Sequence, residues 1–302
     1  MQQPSKSDGL WIDGPNASAQ LESKGLKQEV KQAIQSLMTD GVAVIRNANS
    51  ESVCRDVIAE YQRFSASRKA YFRENLDANG HEKRLVNFHL WSPAAAAIGV
   101  NPKILAILDA VFGEETAVYT SLTFKYGTQQ VVHRDTPHFA TWPANRFAGV
   151  WTALENVDAT AGPLFYHPGA QHFRLDPSEF MHAARKRIPS APDREQTLLA
   201  LDLYNGAVIR KSAEISSPVA LNLNVGDTVI WHPELPHGGS PASDPNRTRW
   251  SIVFHCAPVS TQVHQHHAFF SIGPDDQPPA DRYGYADHES RKFAGSGSVA
   301  FM

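Results

Sequence analysis

The sequence predicts a mainly β fold, either a sandwich or a barrel, with α-helices packed against its outer face. After Gly113 the chain becomes a series of short segments rich in Val, Thr, Phe, Tyr and Trp, separated by Gly and Pro turns. Before Gly113 the apolar residues recur mainly at helical spacing. With 42% hydrophobic residues among 302, the chain has enough apolar material to bury a substantial core.

We expect a single folded domain with a flexible start. Residues 1–22 are polar and interrupted by Pro and Gly, so they should form a loose lead-in to a domain of residues 23–302. That domain should contain a mainly helical part (23–113), the barrel core (114–258), a lid or insert within the core (about 173–219) and an irregular tail (259–302). Some helix is expected in the insert, around Pro177 to Lys186.

Three helices are predicted in the first third of the chain. The first has apolar residues at helical spacing from Leu26 and should end at Gly41. The second follows Ser50, which is a plausible N-cap, and the third extends from Asn101 to Gly113. Between the first two, GVAVIRN is typical of a buried strand. The later strands are expected in TAVYTSLTFKYG, QVVHRD, FAGVWTALENV, PVALNLN, GDTVIWH and RWSIVFHCA.

Charge and composition argue against several classes of partner. With 28 basic and 31 acidic residues, the net charge of -3 gives no electrostatic reason to expect nucleic acid or an anionic membrane. The chain has no run of eighteen apolar residues and no basic start followed by an apolar stretch, so we expect a cytoplasmic, unanchored protein. Cys54 and Cys256 lack metal-knuckle spacing, and two buried or idle thiols are the simpler interpretation.

His133 and Asp135 are two positions apart in the strand-like QVVHRDTPHF. Alternation along a strand directs both side chains to one face. With a second histidine from a distant strand they would form the two-histidine, one-carboxylate arrangement that suits non-haem iron(II) and leaves coordination positions open. Two histidines follow the strand in GDTVIWH, namely His232 and His237. We favour His237 because it precedes the Gly238-Gly239 turn, and His232 would then pack nearby.

Arg249 is the candidate anchor for a carboxylate-bearing cosubstrate. It opens the strand that follows the two histidines, and a guanidinium can hold a carboxylate through two parallel hydrogen bonds. Ser251 lies two residues further on and should face the same way, so its hydroxyl could contact the same oxygens. The alternative is an arginine in a surface salt bridge, as one of the closely spaced cations of NRTR.

Four segments, in order along the chain, together resemble the phytanoyl-CoA dioxygenase family of iron(II)- and 2-oxoglutarate-dependent oxygenases. TDGVAVIRN resembles the first strand of that family and KYGTQQVVHRD its metal-binding strand. GVWTALENVDATAGPLFYHPGAQHF resembles the central hairpin, and GDTVIWHPELPHGG with RTRWSIVFH resembles the closing strands. The resemblance covers most of the chain. It implies a double-stranded β-helix, that is, a jelly-roll or cupin-like barrel, with iron near one mouth.

The resemblance also implies a set of cofactors and roles. It assigns His133, Asp135 and His237 as iron ligands, Arg249 as the 2-oxoglutarate anchor and Trp151 as a wall of the cosubstrate pocket. It implies Fe(II), 2-oxoglutarate and O2, with release of succinate and CO2. Because Asp135 occupies a coordination position, we expect hydroxylation of an unactivated C–H bond rather than halogenation.

Two departures from the family pattern indicate a retuned active-site rim. Arg134 stands where Gln is usual, and the usual Pro-Gly-Ser-His run has become the segment 168–172, PGAQH. In addition, Gly239 replaces the small hydroxyl residue often found two positions beyond the third ligand.

Several assignments remain open at the level of sequence. Trp151 could be a core aromatic, and the hydroxyls of Ser121 and Thr123, with Lys125, reach the cosubstrate only if the strand has one particular register. The histidines of the cluster His264, His266 and His267 are most simply solvated. A metal-binding jelly roll that is not an oxygenase, such as a cupin-like isomerase or a sugar-binding module, would need the metal ligands but not Arg249.

The substrate is expected to be a small polar metabolite with an anionic group. Arg134 and Arg210 are the cationic candidates for its contacts at the barrel mouth, and His138 is a further candidate. Lys211 lies beside Arg210 in the presumed lid. The alternative is that these cations are ordinary surface charges.

Overall fold

The computed structural model describes residues 9–244, 246–264, 269–270, 285–288, 291–294 and 299–302. Most helices of the described chain precede the barrel, and two lie within the insert. They are α1 (Ala17–Ser23), α2 (Gln28–Asp40), α3 (Glu51–Ala66), α4 (Lys69–Arg73), α5 (Pro93–Gly99), α6 (Pro102–Phe112), α7 (Pro177–Arg187) and α8 (Asp193–Ile215).

The strands fall mainly between the helical part and the tail. They are β1 (Val42–Ile45), β2 (Leu85–Val86), β3 (Thr116–Phe124), β4 (Ala140–Trp142), β5 (Ala148–Ala153), β6 (Leu164–Tyr166), β7 (Val219–Ala220), β8 (Thr228–Trp231), β9 (His237–Gly239), β10 (Ser251–Pro258), β11 (Gln262–His264), β12 (Tyr285–His288), β13 (Arg291–Ala294) and β14 (Ala300–Phe301).

The three predicted helices are present as α2, α3 and α6, and their ends have identifiable causes. Gly41 ends α2 in a left-handed conformation with φ of 76°, which glycine adopts without a steric penalty. Ser50 caps α3, accepting a hydrogen bond from the amide of Val53, and Asn101 caps α6 in the same way through the amide of Lys103.

The described strands form one large sheet, one small sheet and a separate two-stranded pair. The large sheet has the order β1-β8-β5-β10-β3-β13-β12, with β2 between β3 and β14 along a separate edge. Its described pairs are antiparallel except β13 with β3. The small sheet has the order β7-β6-β9, and β11 pairs with β4.

Side-chain alternation gives the large sheet two different faces. Val150, Ile230 and Ile252 belong to the cluster that packs against the helical part. Their neighbours Trp151 and Val253 belong to a second cluster, which also includes residues of the small sheet. The two sheets therefore enclose a barrel interior, and the helices cover the outer face of the large sheet, as the sequence predicts.

The first residues described do not form the expected flexible lead-in. Leu10, Ile12 and Leu21 are buried in the helix-side core, and the indole Nε1 of Trp11 donates to the carbonyl of Ala110 at 2.9 Å. Within residues 9–22 the chain therefore packs against the core, because its widely spaced apolar side chains each occupy a site there despite the neighbouring Pro and Gly residues.

The insert and the tail contain more regular structure than predicted. Helix α7 agrees with the expected helix, but the 23-residue α8 was not predicted. Its buried positions include Gln196, Ala200 and Tyr204, which follow helical spacing but are polar, small or aromatic, so the apolar period is weak. In the described parts of the tail, β12 and β13 extend the large sheet and β14 pairs with β2, so the tail is not irregular throughout.

Within the described residues, no single helix has both the length and the apolar composition needed to cross a membrane. Two consecutive helices, α5 and α6, meet those criteria together, but they are bent by 43° relative to each other.

Candidate active site

Three side chains with metal-ligating atoms converge inside the barrel. Atoms of His133, Asp135 and His237 all lie within 4.8 Å of one another, and all three residues are buried. The segment with His133 and Asp135 is not a full strand; a single bridge joins His133 to His237 through two backbone hydrogen bonds of 2.9 and 3.0 Å. That bridge brings the two histidines together, and alternation across Arg134 brings Asp135 to the same side.

Backbone hydrogen bonds set the orientation of both histidines. His133 Nδ1 lies 2.9 Å from the carbonyl of Val131, and His237 Nδ1 lies 2.9 Å from the carbonyl of Leu235. Because a carbonyl only accepts, each Nδ1 must carry the proton and donate it. Each Nε2 is then left with a lone pair, and each lies 3.8 Å from Oδ1 of Asp135. This is the tautomer that a metal ligand requires.

The second oxygen of Asp135 is held by two donors. Oδ2 accepts from the indole Nε1 of Trp231 at 2.9 Å and lies 3.1 Å from Nε2 of His255. A Cβ at Gly149 would lie 2.1 Å from the Trp231 ring, so glycine at that position allows the indole to lie across the strand. The contacts leave Oδ1 facing the two histidines.

The protonation states in this cluster suit metal binding. Burial alone would raise the pKa of Asp135. Interactions with His237, with His255 through its hydrogen bond, and with His133 instead hold that pKa well below its usual range. Burial, reinforced by the neighbouring His237, lowers the pKa of His133 to about 3. At neutral pH the aspartate is therefore ionised and His133 is neutral, which are the forms that bind a divalent metal. The donor set fits iron(II).

The rival histidine is already engaged elsewhere. His232 Nε2 lies 3.1 Å from Oδ2 of Asp13, and His232 Nδ1 accepts from the amide of Glu234 at 3.1 Å. Both ring nitrogens therefore have partners, and the geometry brings His237, rather than His232, together with His133 and Asp135. Of the cluster in the tail, His266 and His267 lie outside the described residues, and only the backbone of His264 is described, in β11.

Arg249 lies in the same cavity and has no acidic partner among the described residues. Its side chain is buried; Nη1 donates to the carbonyl of Gly162 at 2.9 Å, and Nε has no partner in the described part of the chain. The guanidinium carbon lies 5.9 Å from the centre of the Trp151 ring. Burial lowers the pKa of Arg249 to about 10, which leaves it charged at neutral pH. A buried cation of this kind needs an anion, and the cavity is where one can enter.

The cavity has a volume of about 140 Å³ and a mixed lining. Its polar part consists of the three clustered residues and of Arg84, Thr128, Gln130, His138, Arg249 and His255. Its apolar walls come from several strands and one loop. They are Leu122, Phe124, Phe139, Trp151, Leu164, Trp231 and Val253. His138 and Trp151, two of the residues selected from the sequence, both line this cavity, and their roles stay predictions.

The hydroxyl residues predicted to touch the cosubstrate do not line this cavity. The register of β3 turns Leu122 and Phe124 inward, whereas Ser121 Oγ pairs with His89 Nδ1 at 2.6 Å on the other face. Thr123 shares that outer face, and its buried hydroxyl has no hydrogen-bond partner among the described residues. Ser251 is also absent from the lining; its hydroxyl lies 3.3 Å from the carbonyl of Arg249.

The cations predicted at the substrate rim lie elsewhere. Arg134 is fully buried, where it forms an ion pair with Glu234, donates to the carbonyls of Ala170 and Phe173, and covers the Phe173 ring at 3.7 Å. Alternation does turn it away from the metal cluster, but the neighbouring space is a packed layer rather than an open rim. Arg210 is exposed on α8 and does not line the cavity.

Three contributors to the site were not predicted from the sequence. His255 has the same parity as Arg249 along RWSIVFH, so strand alternation could have indicated it. Trp231 ends the strand that precedes the histidines, but nothing in the sequence shows that its indole reaches Asp135. Arg84 precedes the two-residue strand β2, which has no recognisable pattern.

Fold and site together define a jelly-roll barrel with a buried two-histidine, one-carboxylate cluster. Comparison with known proteins identifies the family. The chain belongs to the phytanoyl-CoA dioxygenase (PhyH) family, whose family model matches residues 37–249, more than two thirds of the chain. The predicted family is therefore confirmed. The chain is also 27% identical over 144 residues to the peroxisomal phytanoyl-CoA dioxygenase of Bos taurus, a match that covers 45% of this chain and 38% of the bovine protein. It thus spans less than two fifths of that curated relative.

Solved structures with the same fold confirm the jelly-roll architecture. EctD from S. alaskensis, determined with 2-oxoglutarate and 5-hydroxyectoine, has a TM-score of 0.62 at 15% identity, covering 85% of this chain and 86% of that one. The epimerase SnoN, determined with Fe3+, alpha ketoglutarate and nogalamycin RO, has a TM-score of 0.60 at 16% identity, covering 90% and 97%. At these identities the likeness establishes the fold.

Proposed function

We propose that this protein is an iron(II)- and 2-oxoglutarate-dependent dioxygenase that hydroxylates an unactivated C–H bond of a small organic substrate. The observation that carries the proposal is the presence, in one cavity, of the cluster His133, Asp135 and His237 and of a buried Arg249 without an acidic partner among the described residues. A metal-binding jelly roll without this chemistry would have no use for the arginine. The structures of EctD and SnoN with 2-oxoglutarate or alpha ketoglutarate in the same fold support the choice of cosubstrate.

One group of residues would bind the metal and another would bind the cosubstrate. His133 Nε2, His237 Nε2 and Oδ1 of Asp135 would hold the iron, with Trp231 and His255 fixing the carboxylate. Arg249 would bind the far carboxylate of 2-oxoglutarate through charge-assisted hydrogen bonds, and Trp151 would line the same position. Bound iron would supply the activation of dioxygen, which the protein side chains cannot perform.

The overall reaction balances without a further reductant. One O2 and one 2-oxoglutarate convert a substrate C–H to C–OH, with one oxygen atom appearing in the alcohol and the other in succinate, and CO2 is released. The apolar walls around the cluster would exclude bulk water and position the C–H bond. SnoN is an epimerase of the same fold, so product analysis, rather than fold, distinguishes hydroxylation from other oxidative outcomes. The cytoplasmic location stays a prediction from the sequence.

Succinate formation tests the proposal. Protein loaded with Fe(II) under anaerobic conditions should convert 2-oxoglutarate to succinate on exposure to air, at least slowly without substrate. Asp135→Ala provides the matched control, because it removes a ligand and should abolish the reaction. If wild type and Asp135→Ala gave the same background of succinate, a non-oxygenase metal-binding barrel would be the better interpretation.

A further inference from the structure

A second arginine, Arg84, lines the cavity and is not explained by the metal or by the proposed cosubstrate anchor. Arg84 precedes β2, in which Leu85 is fully buried on the helix side and Val86 packs on the interior side. Alternation therefore directs Arg84 to the same side as Val86, and Arg84 lines the cavity together with Asp135 and Arg249. Its backbone is fixed, because its carbonyl accepts from the amide of Met302 at 3.1 Å.

Arg84 also lines a second pocket outside the first. That outer pocket, of about 280 Å³, shares several residues with the inner cavity, so the two are adjacent. The shared residues are Arg84, Phe124, Thr128, Gln130 and Met302. Arg84 thus lies where a molecule that extends from the inner cavity would pass into the outer pocket.

The Arg84 side chain forms no ion pair with any described residue. The nearest acid in sequence, Glu82, is engaged with Lys125 at 3.4 Å and accepts from the hydroxyl of Tyr61 at 3.3 Å. Arg84 is partly buried, and burial lowers its pKa while the negative charge of Asp135 opposes that shift. A half-buried guanidinium that faces a cavity and forms no ion pair with a described residue is suited to binding an anion.

Charge balance in the cavity indicates where that anion comes from. Among the side chains of the lining, those of Arg84 and Arg249 are cationic and that of Asp135 is anionic. Bound Fe(II) adds two positive charges and 2-oxoglutarate two negative ones, so these groups together leave one positive charge unbalanced. Arg249 accounts for the far carboxylate of 2-oxoglutarate, which leaves Arg84 for a group on the substrate.

We propose that Arg84 binds a carboxylate of the substrate, and that the substrate is an organic acid whose apolar body lies against the inner walls. The walls that would receive that body are Leu122, Phe124, Phe139, Leu164 and Val253. This inference rests on the proposed oxygenase function and specifies its substrate class. It retains the anionic substrate expected from the sequence but replaces Arg134 and Arg210 with Arg84, and it replaces a polar metabolite with an amphipathic one.

Ligand binding tests the role of Arg84 without the need for turnover. Isothermal titration calorimetry would use protein loaded with Mn(II) and saturating 2-oxoglutarate, with octanoate and phenylacetate as anionic probes and octanamide and phenylacetamide as their neutral counterparts. The variants are Arg84→Gln, Arg84→Lys and, as a control, Lys103→Gln, which removes an exposed cation of α6. A separate titration measures 2-oxoglutarate binding to each Mn(II)-loaded variant.

In wild type and Lys103→Gln, we expect at least one acid to bind tenfold or more tightly than its amide. Arg84→Gln should abolish that preference, Arg84→Lys should retain part of it, and the dissociation constant of 2-oxoglutarate should stay within about twofold throughout. The inference is wrong if Arg84→Gln keeps the preference, if it weakens 2-oxoglutarate instead, or if no acid is preferred by wild type. Failure of the proposed function would look different, because wild-type protein itself would then not bind 2-oxoglutarate.

Discussion

The indole Nε1 of Trp231 donates to Oδ2 of Asp135 at 2.9 Å, and this bond decides which oxygen of the carboxylate faces the two histidines. Trp231 can lie there because its partner across the strands is Gly149, which has no side chain to displace the ring. The metal cluster is therefore oriented by the large sheet, although its ligands lie on loops and on a short strand of the small sheet.

Loss of the indole donor should weaken metal binding. Trp231→Phe keeps an aromatic ring against Gly149 but removes the hydrogen bond, and we expect the affinity for Mn(II) to fall roughly 10- to 100-fold. Calorimetric titration of the metal-free protein measures this. Trp91→Phe, a change at a side chain that is 39% exposed and outside the cavity lining, is the control and should bind Mn(II) like wild type. Equal affinities in both variants would show that Trp231 does not orient the ligand.

The third metal ligand can be tested by comparing the two candidate histidines. His237→Ala should lose most of the Mn(II) affinity because it removes one of three convergent ligands. His232→Ala should keep the affinity but lower the unfolding temperature, because it leaves Asp13 and the amide of Glu234 without their partner. Metal titration and thermal unfolding of both variants are the measurements. Retention of metal by His237→Ala with loss in His232→Ala would reverse the assignment.

We expect Arg134 to stabilise the fold rather than to bind substrate. Arg134→Ala leaves Glu234 buried without its cation and removes one donor each from the carbonyls of Ala170 and Phe173, so the free energy of unfolding should fall by roughly 3–5 kcal/mol. Urea unfolding measures this change. Arg210→Ala, at an exposed position of α8, is the matched control and should change the free energy by less than about 0.5 kcal/mol. A similar small effect of both changes would contradict the buried ion pair.

His89 should make the fold acid-sensitive. Burial, with the nearby His288, lowers the pKa of His89 to about 4, against 6.5 for an unperturbed histidine such as that of the unfolded chain, and its Nδ1 pairs with Ser121. Because the unfolded chain takes up the proton first, the stability contribution is complete above pH 6.5 and is lost as the pH falls from 6.5 towards 4. Between pH 7 and pH 5 this loss is about 2 kcal/mol.

The variant His89→Asn isolates that contribution. Its free energy of unfolding should decline less between pH 7 and pH 5 than that of wild type, even if its absolute stability is lower. Urea unfolding at both pH values provides the comparison. The same decline in variant and wild type would mean that His89 is protonated equally in the folded and unfolded states.

Local patterns in the sequence predict much of the fold and the centre of the site. Helices α2, α3 and α6 follow from apolar spacing and caps, and the spacing of His133 and Asp135 is enough to bring both to one point. The features that the sequence did not predict depend on packing between distant segments. The burial of Arg134 needs Glu234 and Phe173, and the inward register of Leu122 over Ser121 is set by pairing with β10. The local periodicity of the sequence contains no information about the burial of Arg134 or about the register of β3.

Arg84 shows the same limit at the level of function. Its strand has two residues and is held between β3 and β14, which are far apart in the chain, so no local signal marks it as part of the cavity. Only the assembled barrel shows that two cationic side chains and one carboxylate side chain line the same cavity. This excess of positive charge is the basis for proposing an acidic substrate.

The most direct test of the site is anaerobic addition of 2-oxoglutarate to the Fe(II)-loaded protein, followed through the visible charge-transfer absorption that chelation of iron by a 2-keto acid produces. Wild type should develop the band, and Arg249→Gln should develop it only at much higher 2-oxoglutarate concentration, since a desolvated charged pair is worth roughly 2–5 kcal/mol. Iron affinity of Arg249→Gln should be unchanged. Absence of the band in iron-loaded wild type, or the same 2-oxoglutarate dependence in Arg249→Gln, would contradict a cosubstrate site built from the cluster and Arg249.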